Sequence, residues 1–220
     1  MFDINYGGEI MANILAFGDS NTWGLIPGTS ERYPWGIRWT SIVQQKLSNE
    51  RIIEEGLCGR TTVFDDKLRP YRNGAEVLPL SIETNYPIDI AIIMLGTNDC
   101  KKIFNANAHV IGKGLELCLD KLEEYLEPQK ILVLSPIALG EEVWRPEKDP
   151  EFDLDSIKTS KKLRDEYQAI AKRRGNAFLA ASDFAKASII DDEHLDETGH
   201  KELANAVLGK LKEMGVVEAA

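Results

Sequence analysis

Three short polar stretches, far apart in the chain, carry the side-chain types that serine-based acyl transfer requires. They are Gly18-Asp19-Ser20, Gly96-Thr97-Asn98-Asp99 and Asp191-Asp192-Glu193-His194. The first offers a hydroxyl, the second an amide that can donate hydrogen bonds, and the third a carboxylate three residues before an imidazole. An imidazole that a carboxylate orients can act as the general base that activates a serine. We therefore treat the three stretches as candidate parts of one site.

Ser20 is the candidate nucleophile. It follows the apolar run 14–17, so a tight turn should present its hydroxyl at the carboxyl end of a strand, where open α/β sheets bind ligands. A Gly-Asp-Ser turn is also a common way to leave a strand, so this tripeptide alone is weak evidence. The nucleophile elbow Gly-x-Ser-x-Gly of the α/β-hydrolases is absent because Thr22 occupies its last position, which disfavours that fold.

Asn98 and Gly59 are the candidate hydrogen-bond donors. Asn98 follows the apolar run 90–95, and its amide could stabilise the negative charge of a tetrahedral intermediate. The alternative for Asn98 is an Asx-turn that caps the following helix. Gly59 lacks a Cβ, so its backbone N–H can come close to a substrate oxygen. The alternative for Gly59 is an ordinary turn glycine.

His194 is the candidate base, with Asp191 as the carboxylate that orients it. Asp192 and Glu193 are expected to point elsewhere. The alternative for the whole acidic run is a solvated turn. His200 falls inside the last helical segment, where a solvated or capping role is expected.

Apolar periodicity predicts the elements that must position these side chains. Strand-like runs occur at 13–17, 51–55, 88–95, 130–135 and 177–180, and helical patterns at 38–49, 74–85, 108–126, 155–174 and 198–214. Alternation of this kind, with a third strand too apolar to be half exposed, indicates a parallel sheet covered on both faces. We predict an α/β fold: a three-layer α/β/α sandwich with a five-stranded parallel sheet in flavodoxin-like order.

Three polar segments interrupt this alternation. They are 26–36, 65–73 and 136–153, and loops of such length are usually functional or form interfaces. All three are expected near the catalytic edge of the sheet or its rim. For 136–153 we expect a site rim or a subunit contact, outside the core, with Trp144 as an anchor.

Residues 12–216 are predicted to form one domain. Residues 1–11 are interpreted as an N-terminal extension with neither the basic nor the apolar region of a signal peptide, and Met11 is an alternative natural start. The 220-residue chain has 43% hydrophobic residues, enough for one substantial core.

Charge and cysteine content exclude several classes of protein. The net charge of −10 opposes unspecific binding to nucleic acid or to an anionic membrane. No apolar run approaches the about 18 residues of a membrane span. The three cysteines have no Cys-x-x-Cys spacing, so they predict neither a disulfide framework nor a zinc site. A reducing cytoplasm is the expected location, and no metal or cofactor is expected.

Taken in order, the segments that contain Ser20, Gly59, Asn98 and His194 resemble the SGNH subgroup of the GDSL esterase/lipase family over nearly the whole chain. The stretches 37–40, 54–57, 60–62 and 92–95 resemble its bacterial arylesterase and acyltransferase branch. The resemblance implies that Ser20 is the nucleophile, and that His194 is general base and then general acid, oriented by Asp191. It also implies an oxyanion hole formed by the N–H groups of Ser20 and Gly59 and the side chain of Asn98.

Asp19 and Cys58 each directly precede a candidate site residue, and we give them other roles. Asp19 is expected to stabilise the turn before Ser20 without doing chemistry. Cys58 departs from the branch pattern, in which a small hydroxyl residue or another small residue is more usual before the oxyanion glycine. We interpret Cys58 as a small residue at the edge of the core. The alternative, a rival nucleophile, lacks a base placed by the sequence.

The predicted function is hydrolysis of small carboxylic esters, acetyl esters first, through an acyl-Ser20 intermediate and without metal or cofactor. Acyl transfer to an alcohol and deacetylation of sugar esters are alternatives with the same chemistry. A flavodoxin-like nucleotide or flavin binding module is disfavoured, because the first turn places Asp19 where a phosphate would sit. The expected partner is a small ester, and the arylesterase-like branch implies a homo-oligomer.

Overall fold

Five parallel strands form the centre of the computed structural model, which describes residues 12–217. They are β1 (Asn13–Gly18), β2 (Arg51–Gly56), β3 (Ile90–Met94), β4 (Ile131–Ser135) and β5 (Ala177–Ala180). Their order in the sheet is β2-β1-β3-β4-β5, and every neighbouring pair is parallel. This is the flavodoxin-like order, so the predicted sheet is confirmed. The interpreted extension 1–11 lies outside the described residues.

Six α-helices lie within the described residues. They are α1 (Ser20–Trp23), α2 (Trp39–Lys46), α3 (Gly74–Thr84), α4 (Ala108–Glu123), α5 (Leu154–Arg174) and α6 (Glu197–Glu213). The five long ones match the predicted helical segments, with ends that differ by up to three residues. Side chains of Asn107, Asp153 and Asp196 accept hydrogen bonds from the first turns of α4, α5 and α6, which stabilises the starts of these helices. No described helix is both long and apolar enough to cross a membrane.

The two faces of the sheet bury separate clusters of side chains. Alternation along β1 sends Leu15 and Phe17 to the face covered by α3, α4 and α5, and Ile14 and Ala16 to the face covered by α2 and α6. Every residue of β3 is buried, as expected for a central strand between two helical layers. The predicted three-layer sandwich is therefore confirmed.

The segment 136–153 packs more deeply than its polar sequence suggests. It contains no helix or strand, but Ile137, Leu139, Val143 and Phe152 are buried in the two cores. The expectation that this segment stays outside the core is wrong for these four side chains. Spaced apolar residues anchor the loop, and Glu141, Glu142 and Glu147 between them are exposed. Trp144 remains 40% exposed.

Candidate active site

A tight turn between β1 and α1 presents Ser20. Oδ1 of Asp19 accepts a hydrogen bond from the N–H of Asn21 at 3.0 Å, so Asp19 caps α1 as expected. A Cβ at Gly18 would lie 2.1 Å from Oγ1 of Thr22, so only glycine allows the strand to pass this close to the helix. Ser20 begins α1, and its side chain is buried at the carboxyl end of the sheet.

Ser20, His194 and Asp191 form one continuous chain of hydrogen bonds. Nε2 of His194 lies 2.9 Å from Oγ of Ser20, and Nδ1 of His194 lies 2.8 Å from Oδ2 of Asp191. All three side chains are buried. The structure therefore brings together the three residues that the sequence analysis selected, across 174 positions of the chain.

The carboxylate of Asp191 is held in its ionised form. Its Oδ1 accepts the backbone N–H groups of Glu193 and His194 at 3.1 and 3.0 Å, and its Oδ2 accepts the N–H of Gly28 at 3.0 Å. Burial by itself would raise the pKa of Asp191, but the hydrogen bonds and the charge of His194 outweigh burial and lower it. An ionised Asp191 fixes the orientation of the imidazole.

Asn21 holds the His194 segment against the nucleophile turn. Its Nδ2 donates to the carbonyl of Glu193 at 3.3 Å, and its Oδ1 accepts the N–H of Leu195 at 2.9 Å. One side chain is thus hydrogen-bonded to the backbone on both sides of His194, the candidate base. The sequence analysis missed this role, and the available signal was a short amide directly after the candidate nucleophile.

The three candidate oxyanion donors lie on turns that follow three neighbouring strands. Nδ2 of Asn98 gives a hydrogen bond to the carbonyl of Arg60 at 3.1 Å, which orients the amide and leaves its second hydrogen free of that bond. The side chain of Asn98 does not cap a helix. Gly59 has a left-handed φ of 82°. Within residues 12–217, the N–H groups of Gly59 and Ser20 have no hydrogen-bond acceptor.

Glu193 points into the site, so the expectation that it points elsewhere is wrong. Its Oε1 lies 3.7 Å from Nε2 of His194, and only 5% of the residue is exposed. Glu193 lies in an irregular turn, in which the preceding residue Asp192 has a left-handed φ of 59°. Asp192 itself points away, as expected, and pairs with Lys148 at 2.8 Å. An acidic residue directly before the candidate base was the signal for Glu193.

Burial and charge shift the pKa values at this centre. Burial lowers the pKa of His194, but the negative charges of Glu193 and Asp191 and the hydrogen bond to Asp191 outweigh it and raise the pKa to about 9. Burial raises the pKa of Glu193 to about 7. Burial also raises the pKa of Cys58 to about 11. A thiol with that pKa is protonated at neutral pH, which argues against Cys58 as a rival nucleophile.

His200 serves the fold: the expectation of a solvated side chain is wrong, whereas the expected capping role is observed at the start of α2. It belongs to α6 and is fully buried where this helix meets the start of α2. Its Nδ1 accepts the N–H of Trp39, the first residue of α2, at 3.2 Å, and its ring meets the ring of Tyr33 edge-on at 5.4 Å. Burial lowers the pKa of His200 to about 4, so its imidazole is neutral at physiological pH.

Residues 12–217 contain no group of three or more His, Cys, Asp or Glu side chains that could hold a metal ion. The absence of metal and cofactor from the reaction stays a prediction.

Comparison with known proteins places the chain in a family. The model of the GDSL-like lipase/acylhydrolase family matches residues 16–202, a range that contains every candidate site residue. The chain belongs to this family. No curated protein matches the chain at a significant level.

Solved structures of esterases are similar to this GDSL-like chain. A carbohydrate acetylesterase from Sinorhizobium meliloti is 33% identical, covers 92% of this chain and 99% of its own, and has a TM-score of 0.84. The aryl esterase of M. smegmatis is 30% identical, covers 92% of this chain and 99% of its own, and has a TM-score of 0.82. Together with the family match, these relatives identify the chain as a carboxylic ester hydrolase.

Proposed function

We propose that this GDSL-like hydrolase cleaves small carboxylic esters through an acyl intermediate on Ser20. The observation that carries the proposal is the buried chain of hydrogen bonds from Ser20 through His194 to Asp191, with links of 2.9 and 2.8 Å. A serine hydroxyl is a weak nucleophile until an oriented base accepts its proton. The proposal assigns His194 as this base and Asp191 as the carboxylate that orients it.

In the first half-reaction, Oγ of Ser20 attacks the ester carbonyl carbon while Nε2 of His194 takes the hydroxyl proton. The electron pair displaced from the carbonyl becomes an oxyanion, which the N–H groups of Ser20 and Gly59 and the amide of Asn98 stabilise. The carbon–oxygen bond to the alcohol then breaks. The leaving oxygen receives the proton from Nε2, and the acyl group remains on Ser20.

In the second half-reaction, a water molecule attacks the acyl carbon and gives a proton to Nε2 of His194. The second tetrahedral intermediate forms in the same oxyanion hole. Its bond to Oγ breaks, Ser20 regains a proton from Nε2, and the carboxylic acid leaves. Asp191 stays ionised throughout and stabilises the imidazolium that forms twice in each cycle.

The proposed substrates are acetyl and other short acyl esters, and the relatives named as a carbohydrate acetylesterase and an aryl esterase support this choice. Acyl transfer follows if an alcohol replaces water in the second half-reaction. p-Nitrophenyl esters of increasing chain length, with and without added alcohol, test both points. We expect kcat/KM to fall as the acyl chain lengthens.

A cytoplasmic location and a homo-oligomer belong to the same proposal, and light scattering tests the oligomer.

Replacing Ser20 with Ala tests the mechanism. We expect turnover of p-nitrophenyl acetate to fall by about 10³-fold or more, because no other hydroxyl is bonded to His194 in the described residues. The melting temperature should change little, since only one small side chain is shortened. A serine-directed phosphonate should add one covalent group to the native protein, mapped to Ser20 by mass spectrometry.

The variant Cys58→Ala is the control for the rival nucleophile, and it should still be labelled at Ser20. Labelling that persists in Ser20→Ala and disappears in Cys58→Ala would overturn the assignment.

A further inference from the structure

The backbone fixes the position of the buried carboxylate of Glu193 beside the catalytic pair. The N–H of Glu193 donates to Oδ1 of Asp191 at 3.1 Å, and its carbonyl accepts Nδ2 of Asn21 at 3.3 Å. These two bonds hold the residue from both sides. Its side chain is only 6% exposed.

No donor within residues 12–217 forms a hydrogen bond to the carboxylate of Glu193. The 3.7 Å from its Oε1 to Nε2 of His194 is too long for a hydrogen bond. Lys101 contributes positive charge nearby, but its ammonium group is bonded to Glu151. Neither carboxylate oxygen is sealed from solvent, so a hydrogen-bond donor from outside the protein can reach it. A bound substrate can supply the missing donor.

The position of Oε1 specifies where that donor must lie. Nε2 of His194 gives its proton to the leaving oxygen of the ester, so this oxygen approaches to about 3 Å. Oε1 of Glu193 lies 3.7 Å from the same nitrogen. A hydroxyl on the next carbon of the alcohol lies within hydrogen-bond reach of the leaving oxygen and can extend towards Oε1.

We propose that Glu193 is a specificity-determining residue that selects esters whose alcohol part carries a hydroxyl on the carbon next to the ester-bearing carbon, as in monoesters of diols and sugars. Glu193 accepts a hydrogen bond from that hydroxyl and thereby positions the leaving oxygen at Nε2 of His194. This inference rests on the proposed function of Ser20 and His194.

Charge also affects this contact. The charged or titratable groups that act on the carboxylate of Glu193, or feel its charge, are His194, Lys101, Asp149, Asp191 and Cys58. Since burial raises the pKa of Glu193 to about 7, the ionised form that accepts hydrogen bonds at both oxygens predominates above that pH. The selectivity is therefore measured at pH 9, where Glu193 is ionised and about half of His194, whose pKa is raised to about 9, is in the neutral form that accepts a proton.

Three acetates that share one acyl group test the proposal. 2-Hydroxyethyl acetate has the proposed donor, propyl acetate replaces it with a methyl group, and 2-methoxyethyl acetate keeps the oxygen without the donor. We expect the native enzyme to favour 2-hydroxyethyl acetate over both others by about tenfold or more in kcat/KM, the effect of one hydrogen bond to a charged group. In Glu193→Met, a side chain of similar length without an acceptor, this ratio should fall to about one.

The isosteric variant Glu193→Gln covers the case in which Glu193→Met does not fold. Its ratio should be intermediate, because the amide keeps one acceptor oxygen. The pH at half-maximal kcat/KM for propyl acetate should also fall in Glu193→Gln, since removal of the negative charge destabilises the imidazolium. Glu197→Gln removes an exposed carboxylate from the start of α6, and it should keep the native ratio and the native pH profile.

Two results would overturn the proposal: a native enzyme that does not distinguish the three acetates, or a Glu193→Met enzyme that keeps the native preference. Either result would leave the loss of turnover in Ser20→Ala untouched. Failure of this inference is thus separate from failure of the proposed function.

Discussion

At the scale of single residues, two carboxylates flank one imidazole in different environments. Asp191 receives three backbone N–H groups and the Nδ1 of His194. Glu193 receives no hydrogen bond from the described residues. Hydrogen bonding lowers the pKa of Asp191, whereas burial raises that of Glu193. Asp191 therefore remains charged and orients the imidazole of His194, whereas Glu193 is the carboxylate that our proposal assigns to a substrate hydroxyl.

Asn98→Ala tests the oxyanion hole. We expect kcat to fall by roughly 10²–10³, the usual effect of removing one oxyanion donor, with a smaller change in KM. The donor acts mainly on charge that develops in the transition state. Steady-state kinetics with p-nitrophenyl acetate measures both constants. An unchanged kcat together with a lower melting temperature would mean that Asn98 only supports the carbonyl of Arg60.

Local spacing made part of this site predictable. Asp191 and His194 belong to one short turn, so their distance in sequence already limits their distance in space. The inward direction of Glu193 could not be predicted, because it lies in an irregular turn whose side chains follow no period in the sequence. The hydrogen bonds of Asn21 to the backbone around His194 could not be predicted either, because they join residues more than 170 positions apart.

At the scale of elements, α1 lies very close to β2. A Cβ at Gly56 would lie 2.2 Å from the backbone N of Trp23 and 2.6 Å from its Cα. Backbone atoms cannot rotate away as a flexible side chain can. The glycine at the end of β2 therefore sets the distance between the sheet and the helix that begins with Ser20.

Gly56→Ala is expected to lower the free energy of unfolding by about 2–3 kcal/mol, as overpacking does, and to reduce kcat by displacing Ser20. Gly209→Ala is the matched control, because a Cβ at Gly209 in α6 meets no atom within 4 Å. That change should stabilise the protein by roughly 0.5–1 kcal/mol, since alanine loses less backbone entropy in a helix. Urea unfolding measures both. Equal effects of the two changes would contradict the close contact.

The long elements were predictable because each buries a continuous apolar stripe or run. All five strands and the five long helices follow from that periodicity. Helix α1 did not, since its four residues are too few to show a helical period and are mostly polar. The segment 136–153 has isolated apolar residues without any period, so its four buried anchors could not be distinguished from exposed ones.

At the scale of the whole molecule, His200 joins α2 to α6 through its hydrogen bond to the N–H of Trp39. The folded protein holds this imidazole neutral down to a pKa of about 4, whereas an unfolded chain protonates it near 6.5. Between these values the unfolded state binds more protons. The contribution of His200 to stability is therefore complete above pH 6.5 and is lost as the pH falls towards 4.

His200→Asn should keep an acceptor for the N–H of Trp39 while removing the titration. We expect the native protein to be the more stable one at pH 7. Its advantage over the variant should shrink by about 3 kcal/mol between pH 7 and pH 4. Urea unfolding of both proteins across this range measures the difference. A constant difference would show that His200 is not held neutral.

The hydrogen bonds of Asn21 link the first turn of the sheet to the segment that follows the last strand. A chain in which only β1 to β4 have assembled carries Ser20 in its turn but has no imidazole beside it. On the proposed mechanism, such a partly folded chain lacks its general base, and we expect it not to hydrolyse esters. During refolding, ester hydrolysis should therefore recover only when β5 and α6 have docked. We expect this recovery to lag behind the recovery of helical circular dichroism.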